Sequence, residues 1–194
     1  SEMLENPHLW SVDDPYMYKV LTYVYVDGAC VDQFESPLGF RWFEWTSDEG
    51  FFLNGEHLWI DGVNAHQDHA GWANAVTTAA LKRDVAMIKE AGFNFIRGSH
   101  YPHSPAYAEA CDEMGILFWS EACFWSTSAW GEGTQNGTSD DYLADGYPTV
   151  NSNGEQEAFE QSCMDMLYEM IRINRNHPSI IVWSMGNEQF FGDN

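Results

Sequence analysis

Residues 93–121, FNFIRGSHYPHSPAYAEACDEMGILFWSE, decide the fold. A short apolar run from Phe93 ends at Arg97 and passes into a polar loop, which stops at Ser104-Pro105, a capping residue followed by a first-turn proline. The helix opened there shows Tyr107, Ala108, Cys111 and Met114 on one face, and Gly115 closes it. A second apolar run, ILFWS (116–120), then ends on Glu121. A half-solvated strand would alternate polar with apolar residues. These runs do not, and that is the pattern of parallel strands covered on both faces. The segment reads as one β-α-β unit.

The same rhythm extends in both directions. Upstream, LWIDGV (58–63) is a strand, and Thr77 or Thr78 caps a helix with Leu81, Val85 and Ile88 on one face and Gly92 at its end. Downstream, residues 155–174 form the longest helix, with Phe159, Cys163, Met166, Met170 and Ile173 as its apolar stripe. His177-Pro178 forbids its continuation, and IIVWS (180–184) is the fourth strand. A closed barrel of such units needs eight strands and roughly 250 residues. A doubly wound open sheet would carry a glycine-rich turn after its first strand, and Gly62-Val63-Asn64-Ala65 is not one. The expectation is an α/β chain holding the first half of a TIM (β/α)8 barrel, about four parallel strands with helices, in residues 51–194.

Residues 1–50 read differently. YKVLTYVYV (18–26), Asp27-Gly28 and ACVDQFES (29–36) make a β-hairpin, GFRWFEW (39–45) reads as another strand, and Asn54-Gly55 turns FFL into EHLWI. Two or three strands cannot close a sandwich, so this stretch is expected to be the tail of a β-domain.

The 194 residues carry 8 Lys plus Arg against 30 Asp plus Glu, a formal charge of −22. Such a field repels nucleic acid and anionic membranes, so neither is an expected partner. At 44% hydrophobic and 15% aromatic, the chain is too apolar to be a disordered acidic segment. There is no run of 18 apolar residues and no targeting segment at the start, so the compartment stays unknown. Cys30, Cys111, Cys123 and Cys163 lack metal-ligand spacing and are expected to be free, mostly buried thiols.

Polar residues cluster after each expected strand: Asn64, His66 and Asp68 after the first, Arg97 with His100 and Tyr101 at the second, Glu121 at the third, Asn187 and Glu188 at the fourth. In a parallel sheet those ends share one rim, so distant residues converge there. The long stretch from Glu121 to Gly154 leaves the same rim, and Trp125, Trp130, Tyr142 and Tyr147 could wall a sugar site.

GFFLNGEHLWIDGVNAHQDH, FNFIRGSHYPHSP, ACDEMGILFWSEA and NRNHPSIIVWSMGNE resemble consecutive motifs of glycoside hydrolase family 2, the β-galactosidase, β-glucuronidase and β-mannosidase group. The resemblance implies hydrolysis of β-glycosides by a retaining double displacement. It places Glu188 as general acid/base, Asn187 at the sugar 2-hydroxyl, His66 and His100 as subsite histidines, and Arg97 with Glu121 as a charged rim pair. With Asp68, these form the expected substrate-binding set. The family's nucleophile is a later glutamate with no counterpart here, so the chain is expected to be a fragment, nearly inactive alone. The hairpin is similar to the end of the immunoglobulin-like β-sandwich that precedes the barrel in that family. A retaining site needs two carboxyls about 5 to 5.5 Å apart, one of them protonated near neutrality.

Three positions depart from the family pattern: Ala65 replaces a common arginine, Ser120 a common aspartate, and Trp125 and Thr127 the carboxylate and histidine of a magnesium site. No metal or other cofactor is expected, and a β-galactoside is the first substrate expectation. Two other readings compete. His66, His69, His100 and His103 with Glu121 and Glu188 could build a metal-dependent barrel hydrolase, although H-x-x-H is not the usual H-x-H spacing. The chain could also be a non-catalytic carbohydrate-binding or assembly fragment. Open strand edges predict self-association, or pairing with the missing barrel half.

Overall fold

The computed structural model describes residues 4–125 and 156–187. Strands β1 (Tyr18–Val26) and β2 (Ala29–Leu38) form an antiparallel hairpin. Asp27 and Gly28 both take positive φ, 48° and 82°, as a two-residue turn matching the right-handed strand twist requires. Strands β3 (Phe43–Thr46), β4 (Gly50–Leu53) and β5 (Glu56–His57) form a second antiparallel sheet. The strand expected from Gly39 begins only at Phe43. Phe40 instead bridges Leu9, and Arg41 turns toward the carbonyls of Pro178 and Ile180 at 3.0 and 2.7 Å. Residues 50 and 51 both pair with β3, Gly50 with Thr46 and Phe51 with Trp45.

The parallel sheet has the order β6 (Gly62–Ala65), β7 (Phe95–Gly98), β8 (Leu117–Trp125), β9 (Ile180–Asn187), with helices α1 (Thr78–Glu90), α2 (Pro105–Met114) and α3 (Gln156–Asn174) between them. Its first strand lies four residues later than the apolar run LWIDGV predicts. The Asn94 side chain explains the shift: it accepts from Asp61 N at 2.9 Å and donates to Trp59 O at 2.8 Å, holding 59–61 outside the ladder. β8 and β9 run past their expected ends, so Glu121 and Asn187 sit within strands. Thr77 caps α1, its hydroxyl accepting from Ala80 N. In α3 the expected stripe is displaced by one residue at its end: Met170 and Asn174 are buried, whereas Ile173 is exposed. The Phe159 side chain is outside the described residues. Of the described thiols, Cys111 is buried, Cys30 is exposed and Cys163 is intermediate; the Cys123 side chain is not among those described. No helix among the described residues is long and apolar enough to cross a membrane.

Period two in the strands divides the sheet's contacts. Ile96, Phe118 and Ile180 pack against Leu81, Val85, Tyr107, Ala108 and Cys111 of the helices. On the other face, Leu117, Ile181, Phe95 and Val182 meet Trp10, Val12, Phe51 and Leu53. The N-terminal segment and β4 thus cover the starts of the parallel strands. The later residues of that face, Arg97, Trp119 and Glu121, are left for other work.

Asp112 clasps the start of β9. Its buried carboxylate receives His177 Nδ1 at 2.6 Å and Ser179 N at 3.0 Å, while its carbonyl accepts from Trp10 Nε1 at 2.8 Å. Asp112→Ala strands both donors and is expected to cost about 2 to 4 kcal/mol, read as a lowered urea midpoint at unchanged slope. A loss under about 0.5 kcal/mol would mean that water replaces the carboxylate.

Candidate active site

Glu121 is the centre of the polar rim. Its side chain is 0% exposed, and five donor groups converge on it. Arg97 approaches through Nε (3.1 Å) and Nη2 (3.0 Å to each oxygen), and His100 Nδ1 lies 2.8 Å from Oε1. Trp119 Nε1 and Ser184 Oγ each lie 3.0 Å from Oε2. These groups come from β7, the loop after it, β8 and β9. The backbone register explains the meeting: Trp119 and Glu121 are two apart on one face of β8, and Ser184 is the cross-strand partner of Glu121. Arg97 Nη2 also donates to Asn187 Oδ1 at 2.9 Å.

Burial alone would push the Glu121 carboxyl up. The bonds from His100, Arg97 and Ser184, with the Arg97 charge, outweigh it and hold the group below its ordinary range. Glu121 is therefore an anion, neutralised by Arg97. Both of its oxygens face protein donors.

Around this pair the other expected residues separate. The rings of His66 and His100 meet edge to face at 5.1 Å, and Tyr101 Oη lies 3.4 Å from His66 Nδ1. Tyr101 Oη accepts from Gln67 N at 3.1 Å, and Gln67 Oε1 accepts from Ser104 N at 2.6 Å, which ties the loop after β6 to the start of α2. Asp68 is exposed in that loop and makes none of these contacts. Glu188, the long loop with Trp130, Tyr142 and Tyr147, and Thr127 lie outside the described residues, as does the Trp125 side chain. Sequence reading passed over Trp119 and Ser184. Both lie in apolar runs, and only the two-residue offset from Glu121 and the β8–β9 register mark them.

The histidines needed for a metal centre diverge. His69 Nε2 pairs with Asp84 at 2.6 Å, and His103 turns into the core with Nε2 3.1 Å from the carbonyl of Ser99. No group of three or more His, Cys, Asp or Glu among the described residues is arranged to hold a metal ion.

His103 predicts a pH effect. Its buried Nδ1 has no hydrogen-bond partner among the described residues, and burial holds the imidazole below its ordinary value of 6.5, against the bond to Ser99. The unfolded chain takes up a proton near 6.5 before the folded chain does. Stability is therefore full above that pH and falls as pH drops toward the depressed folded value. Urea unfolding at pH 8 and pH 5.5 should show the loss, and His103→Gln should remove its share of it. An equal pH slope in the variant would contradict this.

Arg97, His100, Asn187 and His66 form a rim that presents hydrogen-bonding groups around a neutralised ion pair, suited to a polyhydroxylated ligand. Residues 46–194 match glycosyl hydrolases family 2, TIM barrel domain, and residues 2–41 match glycosyl hydrolases family 2. The chain is 37% identical to a β-glucuronidase of Bacteroides fragilis over 99% of its own length and 25% of that protein's. It is 35% identical to a β-galactosidase of Bacteroides ovatus over 95% of its length and 19% of the relative's. A solved β-glycosidase of Bacteroides vulgatus superposes with a TM-score of 0.76 at 32% identity, covering 96% of this chain and 22% of that one. A β-glucuronidase of Parabacteroides merdae gives 0.74 at 33%, covering 93% and 19%. The chain thus spans about a fifth to a quarter of the relatives it matches. The four parallel strands with their helices are part of the family's barrel, and antiparallel strands precede them. By sequence along most of its length and by fold, this chain belongs to glycosyl hydrolases family 2.

Proposed function

We propose that this chain supplies the acid/base half of a site that hydrolyses β-glycosides with retention, Glu188 being the general acid/base and the nucleophile coming from residues outside the chain. One observation carries this reading. Arg97 and Ser184 tie the end of β9 to Glu121, so Asn187, the residue before Glu188, stands in the same cluster as His100. Asn187 and His100 would bind sugar hydroxyls, with the exposed His66 beside them. Strands β1 and β2 would be the closing strands of an immunoglobulin-like sandwich.

A neutral β-galactoside fits better than a β-glucuronide. The Arg97 guanidinium is committed to Glu121 and Asn187, and a uronate would need a free cation. Assay of the full-length gene product on aryl β-glycosides, galactoside and glucuronide included, tests both statements. Turnover of the galactoside is expected, turnover of the glucuronide alone would overturn the sugar assignment, and no turnover across the panel would overturn the reading.

β6 and β9 each keep an unpaired edge in the described sheet, and Trp183 and Met185 are exposed on β9. The isolated chain is expected to self-associate through these edges. Sedimentation showing a concentration-independent monomer would refute this.

A further inference from the structure

The contacts of Glu121 define the proton position on His100. A neutral imidazole has one donor and one acceptor nitrogen, and which is which follows from the partner of either. His100 Nδ1 lies 2.8 Å from Glu121 Oε1 and 3.3 Å from Arg97 Nη2. A bare Nδ1 would set its lone pair against an anionic oxygen at the shorter of the two distances. A proton on the Glu121 carboxyl could relieve that, but both oxygens already accept from cationic and neutral donors that favour the ionised form. The proton therefore belongs on Nδ1. The ring is one third exposed, and Nε2, on the edge away from Glu121, has no protein partner among the described residues.

We propose that Glu121 is a positioning residue that fixes His100 as the Nδ1–H tautomer, so that Nε2 faces the ligand as a hydrogen-bond acceptor for a sugar hydroxyl. The ligand half of this statement rests on the β-glycoside reading; the tautomer half does not. Two consequences follow. His100 would select a group that donates, rejecting an analogue whose hydroxyl is replaced by hydrogen or fluorine. Glu121 would influence ligand binding without touching the ligand, since it also holds Arg97 against Asn187.

The test is ring-¹⁵N NMR of the 194-residue chain labelled at histidine, above neutral pH, with His100 assigned through His100→Asn. Wild-type His100 should show its proton on Nδ1 and a pyridine-type Nε2. Glu121→Gln offers an amide that can donate to Nδ1, and should move the proton to Nε2 or give a mixture. Ser184→Ala, which leaves the His100–Glu121 contact in place, should keep the wild-type pattern. A wild-type His100 with its proton on Nε2 overturns the proposal and needs no variant. So does Nδ1–H persisting in a folded Glu121→Gln protein whose other six histidines are unmoved. In the full-length gene product labelled the same way, methyl β-galactoside should then shift the Nε2 resonance, and among its monodeoxy analogues one should fail to do so. If the tautomer is as stated but no glycoside moves Nε2, the glycoside reading fails and the positioning role stands.

Discussion

Glu188→Gln in the complete enzyme is expected to lower turnover of β-glycosides with poor leaving groups by about 10² to 10⁴-fold, the usual contribution of a positioned proton donor. Glutamine keeps the shape and removes the proton. A leaving alkoxide of high basicity needs that proton, whereas an activated phenolate departs without it, so the loss should shrink as leaving-group acidity rises. KM should change much less than kcat if the loss lies in the transition state. The reason to expect the effect at this residue is its neighbour: Asn187 is held by Arg97, which is held by Glu121. An unchanged rate on alkyl glycosides would remove Glu188 from the mechanism.

Glu121→Ala is expected to destabilise the fold by about 3 to 5 kcal/mol, the range for removing one partner of a buried ion pair. Arg97 is one quarter exposed and can recover some water, which argues for the lower end. Against that, the indole of Trp119 and the hydroxyl of Ser184 also lose their acceptor. Urea unfolding at neutral pH measures the difference. The wild type should also weaken in acid. A carboxyl held below its ordinary value contributes stability that is full above the unfolded pKa near 4.5, and loses it as pH falls through the lower folded value. In Glu121→Ala this part of the acid dependence should disappear. A loss under about 1 kcal/mol would show that the cluster is hydrated in solution and is not the anchor of the rim.

Most of the barrel half was legible because its signals are local. Caps at Thr77 and Ser104-Pro105, the stop at Gly115 and the apolar strand cores depend on neighbours in sequence. Strand limits were less so. Leu58 and Ile60 belong to a run as apolar as a strand and yet pack with the β4 residues, because Asn94, more than thirty residues later, holds the turn before β6. Ile173 fits a helical stripe but is exposed, since the packed face of α3 turns toward Met170 and Asn174 there. The packing of the β3–β4 hairpin is another long-range matter: nothing near Phe51 and Leu53 in sequence shows that they are buried with Leu117 of β8 and Ile181 of β9.

The sequence by itself determined that four apolar strands would end in polar residues, that those ends would share a rim, and that the motifs from Gly50 to Glu188 belong to one family. Those are properties of residue type, spacing and the common direction of parallel strands. Which polar residue faces outward was decided only by tertiary structure. Arg97, His100, Glu121 and Asn187 all look alike as strand-end groups. Burial and a register that places Ser184 opposite Glu121 make one of them an enclosed anion and leave His100 Nε2 without a partner among the described residues. The physical reason is that a hydrogen bond depends on distances of a few tenths of an ångström between groups 21 to 90 positions apart, and no local pattern encodes those distances.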